Sequence, residues 1–180
     1  MSEAVIGLIG VVVGALITGA SEFWKERRAR KKNAEYLAIR IVSLLDRYVE
    51  GCTEVAGDDA LCQGQPDKDG CRRVQVEVPE LHFQSIDVDW RSIPATLMYQ
   101  ILSFPNKIDA ANHRIHGEFE YASSPPDYEE GFQERRYQYA LLGLAASGMA
   151  DELRTRYGIP AREYGDWNPI KYWLFRNQCG

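Results

Sequence analysis

The spacing of apolar residues changes along this chain, and each change predicts an element. From Ala4 to Ala20 (AVIGLIGVVVGALITGA) the run is continuous, with no charged residue in 17 positions. Beyond a basic block it becomes periodic. Leu37, Ile41, Leu44 and Tyr48 recur at three- and four-residue spacing, flanked by Ala38, Val42, Leu45 and Val49, which is the pattern of a helix with one wide buried stripe. No Pro or Gly interrupts KERRARKKNAEYLAIRIVSLLDRYVE. One nearly continuous helix is therefore predicted from about residue 4 to about residue 50, with Gly51 as its C-terminal stop.

The next stretch, Thr53 to Arg73, is polar and turn-rich. Its Asp67-Lys68-Asp69-Gly70 reads as a plain Asp-Gly turn, because a calcium loop in that register would place Gln65 and Val76 where acidic ligands belong. Val74, Val76 and Val78 alternate with polar residues until Pro79, predicting a short edge strand or an extended strap. Ser92 is the expected N-cap of a helix with Pro94 just inside it. Pro105 should break that helix at Phe104–Pro105. Its second half carries a stripe of Ile108, Ala111, Ile115 and Phe119 and stops before Ser123-Ser124-Pro125-Pro126. Asp127 is the expected cap of the longest soluble helix, which ends at Gly158. Its middle, Tyr139 to Ala150, holds no charge and is too short to span a bilayer, so it is predicted as the central core helix. Arg135-Arg136 reads as a salt-bridged helix surface. In the tail, Asn168-Pro169 should open a short helix with Ile170, Trp173 and Leu174 on one face, closing the core or lying on the inner leaflet.

At about 1.5 Å per residue the opening run covers roughly 25 Å, and continuing to Trp24 completes a hydrocarbon core of about 30 Å. The fold class expected is mostly α: a single N-terminal transmembrane helix (residues 1–24), a basic juxtamembrane segment (25–34), and an acidic cytoplasmic antiparallel helical bundle with one short extended or β strap (35–180). Trp24, Lys25, Arg27, Arg28, Arg30, Lys31 and Lys32 would meet lipid headgroups. Their position after the span predicts an N-terminus outside and a body inside, in the inner (plasma) membrane of a bacterial or prophage-like setting. A signal peptide carries its charge before the apolar run, the reverse of this order. Gly7, Gly10, Gly14 and Thr18 share one side of the span; small residues at this spacing allow close helix approach, so a homo-oligomer is expected.

Net charge narrows the functions further. Of a total of −5, residues 1–32 carry +3 and residues 33–180 carry −8. An acidic body argues against nucleic acid as partner. The cysteines, Cys52, Cys62, Cys71 and Cys179, form no C-x-x-C pair and are expected to be unpaired thiols inside the cell. Asp109, His113, His116 and Glu120 fall along one side of a helix. They could contribute to a metal site only with ligands from another helix, such as Glu129, Glu130 or Glu134. No P-loop, nucleophile elbow, dinucleotide fingerprint or zinc-protease motif occurs, and no cofactor or catalytic residue is expected. The leading expectation is a single-pass membrane protein whose body mediates self-assembly or binds a cytoplasmic protein partner, without catalysis. An oligomeric membrane-active or pore-forming effector and a membrane-tethered metal-dependent enzyme are the alternatives.

Overall fold

The structure, a computed structural model, describes residues 2–83 and 89–163, with side chains from Thr18 onward. It is mostly helical, and no strand forms among the described residues. The first helix, α1 (Ser2–Gly57), is 56 residues long. Its predicted stripe is buried: Leu37, Ile41, Leu45, Tyr48 and Val49 face the core, and Leu44 packs against it.

Gly51 does not end this helix. Cys52, Val55 and Ala56 continue the buried stripe through another turn, and the Thr53 hydroxyl donates to the Val49 carbonyl at 2.9 Å. Glycine stands at 51 for a different reason: a Cβ there would lie 2.6 Å from Pro79 Cβ and 3.1 Å from Pro79 Cγ. The strap crosses the helix at this point.

The second long helix, α4 (Glu129–Tyr157), runs antiparallel to α1. Asp58 near the end of α1 pairs with Arg135 near the start of α4, while Asp46 farther back pairs with Arg154. As predicted, the uncharged middle of α4 is the core helix, with Tyr139, Leu142, Gly143, Ala146, Ser147 and Ala150 all buried. Its end is also as expected: Gly158 adopts φ 66° and donates its N–H to the Arg154 carbonyl, the left-handed cap that glycine adopts without a Cβ clash.

Between these helices lie α2 (Ala95–Leu102) and α3 (Phe104–Gly117). The break predicted at Pro105 falls at Ser103, and Pro105 sits in the first turn of α3, where its missing N–H costs nothing. Phe104 then packs edge-on against Tyr48 at 5.8 Å. Two expected caps are displaced. Asp89, not Ser92, caps the single 3-10 turn Trp90–Ser92, its Oδ1 accepting from Arg91 N at 3.0 Å, and Pro94 stands before α2 rather than inside it. Asp127 does not cap α4 either. Tyr128 precedes that helix with φ 48°, and the nearby first-turn donor Gly131 N–H is taken by Ser123 Oγ at 2.7 Å. α3 ends in a π turn, Glu118–Ala122, that delivers Ser123 to this position.

Residues 71–83 form the extended strap, which pairs with no strand among the described residues. Asp67 shapes the turn before it, accepting from Asp69 N and Cys71 N at 2.9 and 2.8 Å. Among the described residues no helix is long and apolar enough to cross a membrane. The side chains of the apolar run from Ala4 to Ile17 lie outside the described residues, as does the expected tail helix, so neither gains support from them.

Candidate functional site

Three features could carry function: the free part of α1, a buried charge node that holds the strap, and a cleft beside the strap. From Thr18 to Asn33 every residue of α1 is exposed, and burial begins at Ala34. At about 1.5 Å per residue, this exposed stretch is roughly 24 Å long. Lys25, Arg27, Arg28, Arg30, Lys31 and Lys32 all lie on it, with Phe23 and Trp24 61% and 73% exposed at its front. Thr18 is also exposed, its carbonyl accepting from Ser21 Oγ at 2.8 Å. The side chains of the other expected contact positions, Gly7, Gly10 and Gly14, lie outside the described residues.

Arg135 corrects the sequence reading. It is a core residue, not a surface one. Its side chain is 5% exposed and its Nη1 lies 2.9 Å from Asp58 Oδ2, on a carboxylate only 1% exposed. Asp58 also accepts from the backbone N–H groups of Ala60, Gln75 and Val76 at 2.9 to 3.1 Å, and Arg135 Nη2 donates to the Val76 carbonyl. Burial works against ionisation of Asp58. The three N–H donors and the guanidinium outweigh it, so the carboxyl titrates below its ordinary range. The node joins α1, α4 and the strap. The signal was present in the sequence: Arg135 falls between Phe132 and Tyr139 on the buried register of α4.

With the strap fixed by this node and by Gly51 against Pro79, its outer part faces α2 and α3 across a cleft of about 530 Å³. The walls are Phe83, Trp90, Leu102, Pro105 and Ile108, with Trp90 edge-on to Phe83 at 6.4 Å. Tyr139 and Asn112 also line it, the Tyr139 hydroxyl donating to Asn112 Oδ1 at 2.8 Å. Glu80, His82 and Asp109 also line it, and among the described residues no Lys or Arg does. Nothing in the hydrophobic pattern foretold this cleft, because nearly half of its lining comes from the strap at and beyond Val78, where the alternation stops.

The four metal candidates are not gathered. Asp109 lines the cleft, His113 is exposed on α3, and His116 pairs with Glu120 at 3.5 Å on the surface. His116 and Glu120 thus keep the four-residue proximity expected of them, across the start of the π turn from Glu118. Of the expected second-helix ligands, Glu134 lies 3.6 Å from Arg114 and Glu129 accepts from Gln133 at 3.1 Å. Among the described residues no group of three or more His, Cys, Asp or Glu side chains could hold a metal ion.

No protein-family model matches this chain, and no curated protein or solved structure matches it.

Proposed function

We infer that this chain is a bitopic membrane protein, its N-terminus outside and its acidic helical body inside, and that the body serves assembly or partner binding without catalysis. The observation that carries this reading is the bare collar of α1. A solitary helix gains little from water alone, since most helix stability comes from packing a face. Here sixteen exposed residues join the bundle to an uncharged run, with Phe23 and Trp24 at the junction and six basic residues behind them. A bilayer would satisfy all three parts at once: lipid around the apolar run, headgroups around the aromatic rings, and anionic phosphate around the Lys and Arg side chains, at about 1 kcal/mol each. Gly7, Gly10, Gly14 and Thr18 would then bring spans together as a homo-oligomer.

Fractionation of cells expressing the full chain tests the anchor: recovery in carbonate-washed membranes is expected, and recovery in the soluble fraction refutes it. A phosphatase fused at the C-terminus should stay inactive, since it folds only outside the cytoplasm; activity refutes the orientation. Replacing both Gly10 and Gly14 by Ile should lower the mass of the detergent-solubilised particle, and an unchanged mass removes the span contact.

A further inference from the structure

The cleft beside the strap has a chemistry that neither an anchor nor an assembly surface requires. Its volume of about 530 Å³ is that of a small-molecule site, and such sites combine apolar walls with a few converging polar groups. Trp90 and Phe83 offer aromatic surface, and Leu102, 46% exposed, stands at the mouth. The formal charges among the lining residues are one-sided: Glu80 and Asp109 are carboxylates, and His82 is already held by Glu80 at 3.1 Å. The wider body adds to this bias, with −8 over residues 33–180, so the field around the cleft favours cations and disfavours anions. Aromatic faces add attraction for an organic cation within about 6 Å of the ring centre. The cleft is also held open before any ligand arrives. One wall hangs on the Asp58–Arg135 node and on Gly51 against Pro79, and the other rests on α3.

We propose that this cleft binds a small organic cation with an apolar body, an arylalkylammonium group, whose charge is met by Asp109 and whose body lies against Trp90, Phe83 and Leu102. The proposal is independent of the membrane reading, because it rests on the bundle and strap alone.

The test uses the full chain in buffer with a mild non-ionic detergent, labelled with 5-fluorotryptophan, with the Trp90 signal assigned by its loss in Trp90→Phe. Three probes of similar size are titrated: benzyltrimethylammonium, the neutral N-benzylacetamide and the anion phenylmethanesulfonate. For a ligand of this size, saturation of the Trp90 shift by the cation is expected with a midpoint of about 1–10 mM. The neutral probe should bind more weakly and the anion should leave Trp90 unmoved. Asp109→Asn should raise the cation midpoint about two- to five-fold, the range of a solvent-exposed charge pair. Glu77→Gln, on the same strap but outside the lining, should leave it unchanged. Three probes acting alike, an anion binding best, an Asp109→Asn variant equal to the parent, or a Trp90 signal unmoved by the cation at roughly 50 mM would each overturn the proposal.

Discussion

Replacing Gly51 by Ala tests the placement of the strap against α1, because local helix energetics and tertiary packing predict opposite signs. Gly51 lies inside α1, where Ala normally gains about 0.5–1 kcal/mol over Gly. The added methyl, however, would fall 2.6 Å from Pro79 Cβ and 3.6 Å from Pro79 Cα. Those atoms belong to a ring and a backbone, so the strap itself must shift. Overpacking of this kind costs about 1–3 kcal/mol, and setting it against the helix gain leaves a net loss of up to about 2.5 kcal/mol. Gly148 provides the control. It lies within α4 with nothing within 4 Å of a Cβ, so Gly148→Ala should stabilise by about 0.5–1 kcal/mol. Urea unfolding of the full chain in mild detergent, followed by far-ultraviolet ellipticity, gives both midpoints. A double-mutant cycle with Pro79→Gly, which removes the opposing Cβ, should recover about 1 kcal/mol or more as coupling. If Gly51→Ala stabilised the protein as Gly148→Ala does, the strap could not lie where the structure puts it.

Two further predictions concern buried groups. Arg135→Met strands the Asp58 carboxylate and should cost about 3–5 kcal/mol at neutral pH. Because the Asp58 pKa is lowered in the folded state, its contribution is complete above the unfolded carboxylate value of about 3.9 and is lost as pH falls through the folded pKa. The urea midpoint of the parent should therefore drop below about pH 4 more steeply than that of Asp58→Asn, and parallel acid limbs would refute the assignment. Cys52 is buried, which pushes its thiol up to about 12. Iodoacetamide at mildly alkaline pH should modify the exposed Cys62 first and reach Cys52 only after unfolding, as read by peptide mass spectrometry. Early labelling of Cys52 would contradict its place in the core.

The helices were legible where one rule acted alone. The stripe from Leu37 to Val49, the break near Pro105 and the stop at Gly158 each follow from periodicity or a local backbone constraint, and all three appear within two residues of the expected place. Errors arose where a residue answered to a distant part of the chain. Gly51 reads as a terminator in isolation, but Pro79, 28 positions later, determines its role. Arg135 looks like half of a surface pair until Asp58 is placed beneath it. Asp127 has the chemistry of an N-cap, yet the π turn at the end of α3 brings Ser123 to the first turn of α4 instead. The cleft was illegible for the same reason, since Trp90, Leu102 and Asp109 come from three separate elements and face strap residues far from them in sequence.

The unbroken course of α1 has a mechanical corollary. No proline occurs between Ser2 and Gly57, so the helix carries no proline kink. One residue inserted among positions 25–33 would swing everything downstream about 100° around the axis, whereas four would bring it almost back into phase. Whatever grips the front of this shaft thereby dictates the compass bearing of the rest.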